Sequence, residues 1–151
     1  MIPRFPPQSA DPAIMLTVAN WSEHRQELYA IRYRVFVLEQ QVPEKLEQDE
    51  QDPLSLHLLA RTIDGQAIGT GRLLTDGHIG RIAVLPDWRQ YGIGRRLMEG
   101  LIELARQRGH QTVRLNAQVS AYNFYVKLGF QSEGKPFWEA GILHQGMYRL
   151  L

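Results

Sequence analysis

Short apolar runs separated by turn residues occupy most of this chain, and the pattern predicts a sheet of several strands. Asp64-Gly65 and Asp76-Gly77 are typical of tight hairpin turns, so the second, third and fourth strands should be consecutive and antiparallel. The runs that predict strands are 13–19, 54–62, 66–74, 78–85, 111–117, 130–134 and 143–150.

Apolar residues recur at the helical spacing in three further segments, about 23–37, 93–108 and 119–128. The middle segment is the strongest, with apolar residues on one side, charged residues on the other and Gly109 as the expected stop. Strands and helices in this order predict one mixed α/β domain over residues 13–151. Residues 1–12 contain four prolines, which predict a flexible, extended N-terminal arm.

The junction between the fourth predicted strand and the middle helix has the composition of an anion-binding site. Gly92 and Gly94 stand at the helix entrance, where amides have no partner within the helix and an anion can approach closely. Arg89 and Arg95 add positive charge, so a diphosphate is the expected ligand. The spacing excludes a P-loop, which needs Lys then Ser or Thr here, and a dinucleotide fingerprint, which needs glycine at Leu97. An ordinary strand-to-helix turn is the alternative.

Composition narrows the function classes. The chain is 44% hydrophobic and 22% charged, which is ordinary for a globular protein. A formal net charge of +1 gives no electrostatic reason to expect a nucleic-acid or membrane partner. The chain has no cysteine, which excludes thiolate metal sites and a cysteine nucleophile, and no metal is expected. Without an apolar run of membrane-spanning length or a signal-like start, we expect a cytoplasmic protein.

Two motifs in this order resemble those of the GCN5-related N-acetyltransferase (GNAT) family. The first is Arg89-x-x-Gly92-x-Gly94, and the second is Ala121-x-x-x-Tyr125-x-x-x-Gly129-Phe130. A third segment, 31–40, resembles the corresponding segment of the ElaA-like branch of the family, because it contains Val-Phe-Val followed by Glu-Gln. The resemblance covers Trp21 to Leu151. It implies a central twisted, mostly antiparallel sheet that splays between strands 4 and 5, with helices on both faces.

The resemblance implies an N-acetyltransferase that moves an acetyl group from acetyl-CoA directly to an amine of a small molecule or peptide. It implies that the fourth strand binds the pantetheine arm, that the glycine junction binds the diphosphate, and that Tyr125 protonates the departing sulfur. Many members have Asn where this chain has Gln118, so the role of that position is open. The implied cofactor-binding residues are Ile82, Ala83, Val84, Arg89, Gln90, Tyr91, Gly92, Ile93, Gly94, Arg95 and Asn123.

The identity of the general base is left open by the sequence. Glu39 follows the apolar Val-Phe-Val segment, which would raise its pKa towards the range of a base, and a solvated Glu39 at a helix end is the equal alternative. His57, His78 and His144 are weaker candidates, because neutral imidazole suits proton removal near pH 7 but lone histidines are more often structural. We expect His57, His78 and Arg72 to be half-buried on the outer side of the sheet.

Several alternatives remain at this stage. The acidic segment 43–53 is interpreted first as solvated surface and second as a rim that attracts a cationic amine; it does not match a calcium loop. A non-catalytic acyl-CoA sensor or interaction module is the main rival function. A phosphoryl-transfer enzyme would need Asp87 as its metal-binding carboxylate. A homodimer is a further expectation without a specific signal.

Overall fold

The computed structural model describes residues 13–151, so the predicted arm at 1–12 lies outside the described part. Single 3₁₀ turns occupy Asp52–Leu54, Pro86–Trp88 and Val119–Ala121. The strands and helices are β1 (Ile14–Ala19), α1 (Trp21–Arg32), α2 (Glu44–Glu47), β2 (Leu56–Thr62), β3 (Ala67–Leu73), β4 (Ile79–Val84), α3 (Ile93–Gln107), β5 (Thr112–Gln118), α4 (Tyr122–Lys127), β6 (Gln131–Ser132), β7 (Phe137–Glu139) and β8 (Ile142–Leu150).

The strands form two antiparallel sheets that meet at one end. The first has the order β1-β2-β3-β4, and in the second β8 pairs with β5, β6 and β7. The sheets are joined by a parallel bridge between His78 and Arg114, where the Arg114 amide donates to the Gly77 carbonyl at 3.2 Å. Beyond this bridge β4 and β5 have no ladder in common. The predicted splay between strands 4 and 5 is therefore confirmed.

The helices cover both faces of the sheets, as predicted. The apolar face of α3 carries Leu97 and Leu101 into the main core, together with Ile68, Val113 and Met147 from both sheets. On the other face, α1 buries its apolar residues against a second cluster that includes Leu59 and Ala83. A Cβ on Gly71 of β3 would lie only 2.6 Å from the Cδ1 atom of Ile82 and 2.8 Å from that of Leu101, so a larger residue here would make these two side chains shift.

The first predicted helix differs from the structure at both ends. It begins at Trp21, two residues early, because the Asn20 side chain accepts the Ser22 amide at 2.8 Å and caps the helix. After Arg32 the backbone widens into a π-helix, Tyr33–Glu39. π-Helices are rare, and those that occur are often found at functional sites. Here the π-helix brings Val35 and Phe36 to a large cavity.

The C-terminal region contains a strand that was not predicted. The run 130–134 forms only the two-residue β6, and β7 and β8 make a hairpin through Ala140 and Gly141. Both turn residues have positive φ, 51° and 76°. This turn type usually requires Asn or Gly at its first position, so Ala140 gives no turn signal in the sequence.

Candidate active site

The gap between β4 and β5 opens into a cavity of about 910 Å³. Its walls come from the π-helix, β4, the first turn of α3, β5, α4 and the β7–β8 hairpin. The structure brings together most of the predicted site residues in this cavity: Ile82, Ala83, Val84, Arg89, Gln90, Gly92, Ile93, Gly94, Arg95 and Tyr125 line it. Glu39, Tyr91 and Asn123 do not line it.

A β-bulge in β4 changes which residues face the cavity. Thr70 pairs with Ala83 and Arg72 with Gly80, so two residues of β4 lie opposite one residue of β3. Arg81 takes up the extra length with a positive φ of 54°. The bulge reverses the alternation: Ile79 packs in the α3 core, whereas Ala83, four residues later, packs in the α1 cluster. Because a bulge takes its extra residue out of the ladder, β4 has backbone groups available at the cavity.

The first turn of α3 has the conformation that an anion site needs. Gly92 caps the helix with φ 75°, and no side chain caps the first-turn amides. A Cβ on Gly92 would meet nothing within 4 Å, and one on Gly94 would lie 3.7 Å from Phe124. The space next to these amides is therefore open, and the positive end of a 15-residue helix faces it. Residues of this kind fit the diphosphate of an acyl-CoA.

Arg89 has a protein partner that the sequence did not predict. Its guanidinium donates two 2.7 Å hydrogen bonds to the Glu39 carboxylate, and its Nε donates to the Val84 carbonyl at 3.0 Å. The hydrogen bond from Arg89 lowers the pKa of Glu39 and outweighs the partial burial that raises it. The expected rise of the Glu39 pKa is therefore wrong. Because a raised pKa was the physical reason to favour Glu39 as the general base, that reason no longer holds.

Tyr125 is the strongest acid candidate in the cavity. Its ring packs edge-on against Phe124 and Phe130, with centroids 5.0 and 6.1 Å away. Burial raises the pKa of Tyr125 to about 12. The phenol is therefore protonated at neutral pH, and the described residues supply no hydrogen-bond partner for its hydroxyl. A protonated hydroxyl in a cavity wall can donate to a ligand atom.

The acidic segment is only partly the solvated surface that its composition predicted: Glu44 and Glu50 are exposed, but two other carboxylates are buried. Glu47 and Asp52 are 1% exposed and are held by Arg32, itself fully buried. Arg32 binds Glu47 and donates to Asp52 at 2.8 Å. The network continues on the sheet through Arg72 and Asp49 and reaches Arg81, and four of its members line the cavity: Glu47, Asp49, Arg72 and Arg81.

One signal in the sequence could have revealed this network. Arg32 lies four residues after Leu28 and three before Val35, on the stripe of α1 and the π-helix that is buried. A charged residue on a buried stripe needs buried partners of opposite charge, and the nearest acidic cluster is 43–53. The same network explains why Arg72 is 5% exposed rather than half-buried.

The three candidate histidines occupy different environments. His57 is fully buried rather than half-buried, stacks on Trp21 and does not line the cavity; its Nε2 lies 2.9 Å from the Asp52 carbonyl. Burial lowers the pKa of His57, which fits a structural role. His78 and His144 both line the cavity, and the Nδ1 of His78 lies 3.0 Å from the Asp76 carboxylate.

Gln118 bridges the outer end of the site. Its Nε2 donates to Oε1 of Gln40, just after the π-helix, at 2.8 Å. The residue therefore ties β5 to the segment that follows α1, across the cavity. This contact gives the position a structural function whatever its role towards a ligand.

Residues 13–151 contain neither a cluster of metal-binding side chains nor a membrane-spanning helix. These residues contain no group of three or more His, Asp or Glu side chains placed to hold a metal ion. Asp87 lies outside the cavity lining. None of the helices in this part of the chain is long and apolar enough to cross a membrane.

Comparisons with known proteins agree with this geometry. The chain is 39% identical to YyaT of Bacillus subtilis over 124 residues, which cover 78% of this chain and 83% of YyaT. It is 37% identical to the uncharacterised N-acetyltransferase YjcF of the same organism over 138 residues, which cover 87% of this chain and 96% of YjcF.

Solved structures of the same fold cover nearly the whole chain. An acyl-CoA N-acyltransferase from Pseudomonas aeruginosa has a TM-score of 0.81 at 31% identity, and Escherichia coli ElaA has 0.80 at 28%; each comparison covers 91% of this chain and 99% of the other. The family profile of the acetyltransferase (GNAT) domain matches residues 19–151. The splayed sheets and the cavity that contains the glycine junction and Tyr125 agree with this match. The chain therefore belongs to the GNAT acetyltransferase family and is an acyltransferase.

Proposed function

We propose that this protein transfers the acetyl group of acetyl-CoA directly to a primary amine of a small molecule or peptide. The observation that carries the proposal is that one cavity contains an open helix N-terminus, a bulged strand and a protonated tyrosine. These three parts match the three parts of an acetyl-CoA: diphosphate, pantetheine arm and thioester. The chain has no cysteine, so acyl transfer through a cysteine thioester is excluded.

Each part of the cavity has a defined task in this proposal. The first-turn amides of α3, with Arg89 and Arg95, would bind the diphosphate. The bulged strand β4 would hold the pantetheine arm through backbone groups near Ile82 and Ala83. Acetyl-CoA supplies an activated acyl group and a thiolate leaving group. Tyr125 would donate its hydroxyl proton to the sulfur, so that a thiol leaves instead of a thiolate.

The acceptor would enter on the other side of the cavity, between the π-helix and the β7–β8 hairpin. This side is lined by apolar residues such as Val35, Phe36 and Ile142 and by a few charged ones, including Glu139. The mixture suits an amine on an apolar body. An acidic rim formed by segment 43–53 is not part of the proposal, because most of its carboxylates are paired with arginines.

The test is Tyr125→Phe, measured as thiol release from acetyl-CoA with a panel of primary amines. We expect turnover to fall by roughly tenfold or more, because a positioned general acid is lost. Calorimetry should find acetyl-CoA affinity similar to that of the wild type. Tyr148→Phe is the matched control, since this hydroxyl donates to Gln131 away from the cavity.

Two outcomes would contradict the proposal. Unchanged turnover of Tyr125→Phe would remove the acid role. Tight acetyl-CoA binding by the wild-type protein, without thiol release for any amine or peptide, would favour the non-catalytic sensor.

A further inference from the structure

Acetyl transfer to an amine also needs a base, and the cavity offers few. At neutral pH a primary amine is an ammonium ion, which must lose one proton before it can attack, and the nitrogen must lose a second proton for the amide to form. Among the cavity carboxylates, Asp49 pairs with Arg72 and Arg81, and Glu47 with Arg32. Glu39 lies outside the lining and pairs with Arg89. The remaining acceptors in the described lining are His78, His144 and Glu139.

His144 lies on the face of the second sheet that points away from the main core. It pairs with Gln118 in the β5–β8 ladder. Ala117, next to Gln118, and Met147, three residues after His144, belong to the buried core under α3. Because successive side chains alternate across a strand, His144 and Gln118 share the opposite face. Both line the cavity.

His144 and His78 lie beside opposite ends of β5. Gln118 ends β5, and the segment that leads to α4 follows it, so His144 lies at the open end of the gap; Tyr125 of α4 lines the same cavity. His78 lies at the joined end, bridged to Arg114. Arg114 and Gln118 are four residues apart on one strand, or about 13 Å.

The ring of His144 is held in one tautomer. Its Nδ1 lies 2.8 Å from the carbonyl oxygen of Ile142. A carbonyl oxygen can only accept, so Nδ1 carries a hydrogen and the lone pair of the neutral ring is on Nε2. Stacking on Phe137, with ring centroids 5.8 Å apart and planes 18° from parallel, fixes the orientation of the ring.

We propose that His144 is the general base, through Nε2; this inference rests on the proposed N-acetyltransferase function. The ammonium ion first loses one proton to solvent. Nε2 then takes one N–H proton from the neutral amine while the nitrogen forms a bond to the acyl carbon. The carbon–sulfur bond breaks, its electron pair stays on sulfur, and sulfur takes the Tyr125 proton. The imidazolium then passes its proton back to the phenolate through solvent. The net reaction converts amine and thioester to amide and thiol.

The hydrogen bond to Ile142 also suits the charged state of the base. When Nε2 takes a proton, the Nδ1–H becomes part of a cation, and its hydrogen bond to the carbonyl strengthens. The elements packed against the ring bring few other charges. On β7, Glu139 lies two residues from Phe137 on the same face, and β5 presents neutral Gln118. Tyr125, which lines the same cavity, is protonated.

The test compares His144→Gln and His144→Ala with the wild type, using the best amine of the panel. We expect kcat to fall by roughly a hundredfold, within the usual range for a general base, and the Kd for acetyl-CoA to change less than about twofold. Thermal unfolding verifies that each variant folds. Imidazole in the buffer should restore part of the activity of His144→Ala and leave His144→Gln, whose side chain fills the space, nearly unchanged.

The pH dependence gives a readout that a structural role would not produce. The ratio of wild-type to His144→Gln kcat/KM cancels the ionisation of the amine itself. We expect this ratio to rise from acidic to neutral pH and then to level off, as the base loses its proton. His78→Gln and Glu139→Gln complete the set, and we expect both to keep the pH profile of the wild type.

Different results would overturn different conclusions. If the wild type releases thiol and His144→Gln stays within about threefold of it with an unchanged pH profile, His144 is not the base although the enzyme function stands. Loss of the acidic limb in Glu139→Gln or His78→Gln instead would assign the base to that residue. A wild type that releases no thiol with any amine would overturn the proposed N-acetyltransferase function itself.

Discussion

At the level of single residues, the cavity contains an arginine with two competing anionic partners. Arg89 holds the Glu39 carboxylate in a two-point ion pair, and in the proposed complex it would also contact a diphosphate. Both side chains of this pair are about 40% exposed (39% and 40%), so the pair is weak, worth up to about 1 kcal/mol. A weak pair can exchange its partner when a stronger anion binds.

We therefore expect Glu39→Gln to tighten acetyl-CoA binding. The variant frees Arg89 and removes a negative charge beside the diphosphate, which lowers the Kd by roughly two- to fivefold, the equivalent of at most about 1 kcal/mol. Calorimetry at low and high salt measures it, and the gain should shrink at high salt. Glu23→Gln, an exposed residue of α1, is the control. A large loss of turnover without a change in Kd would instead restore Glu39 as a candidate base.

At the level of elements, α3 connects the anion site to the core. Its apolar face is buried by both sheets, and its N-terminus is set at the cavity by a left-handed Gly92. The helix also ends in a left-handed glycine, Gly109, with φ 87°. A Cβ on either glycine would meet nothing within 4 Å, yet only Gly92 lines the cavity. The two positions form a matched pair.

Gly92→Leu and Gly109→Leu should therefore differ in binding but not in stability. Each places an L-residue in the left-handed region and should lower the free energy of unfolding by about 1–2 kcal/mol. Only Gly92→Leu puts a side chain next to the first-turn amides, so we expect its Kd for acetyl-CoA to rise roughly tenfold or more through the loss of hydrogen bonds to the diphosphate. Urea unfolding and calorimetry measure the two effects. Equal Kd values for the two variants would argue against binding at this helix end.

Sequence patterns predict the elements that depend on local rules. The Asp-Gly turns, the amphipathic α3 and the order of strands around it are confirmed, because each depends on spacing or on turn chemistry within a few residues. The π-helix, the bulge at Arg81 and the hairpin at Ala140 are not predictable in this way. The π-helix continues the buried stripe of α1, so the apolar pattern does not distinguish it from an α-helix. Arg81 and Ala140 adopt a positive φ, for which neither residue type has a local preference.

The site shows the same division. The glycine junction and Tyr125 could be assigned from motifs, and the structure places both at one cavity. The partner of Arg89 is fifty residues away, and the base candidate on β8 gains its position from pairing with β5. Such contacts depend on the register of the sheet and the path of the π-helix, which one sequence does not reveal.

At the scale of the whole molecule, a buried charge network joins parts that the chain keeps apart. Arg32 from the end of α1, Asp52 from the acidic segment and Arg72 from β3 are all buried. Asp52 accepts a hydrogen bond from each guanidinium at 2.8 Å. Trp21 packs on the Arg32 guanidinium at 5.2 Å. Since Arg72 and its partner Asp49 also line the cavity, the network supports the cavity wall as well as the fold.

The network makes stability depend on pH in the acidic range. Burial alone would raise the pKa of Asp52, but hydrogen bonds and charges from Arg32 and Arg72 outweigh it, so the pKa lies below its ordinary value. In acid the unfolded chain therefore binds a proton more readily than the folded one. The contribution of Asp52 is fully present above the ordinary aspartate pKa of about 4 and is lost as the pH falls through the lower folded value.

We expect Asp52→Asn to remove both the stability and part of its pH dependence. The variant leaves two buried guanidiniums short of a counter-charge, which should lower the free energy of unfolding by about 3–5 kcal/mol at pH 7. Urea titrations, followed by tryptophan fluorescence, should show a smaller difference between variant and wild type below pH 4, because protonation removes the same charge in the wild type. Glu50→Gln, exposed in the same segment, should change stability by less than about 0.5 kcal/mol. A difference that stays constant from pH 7 to pH 3 would mean that packing, rather than the charge of Asp52, holds these elements together.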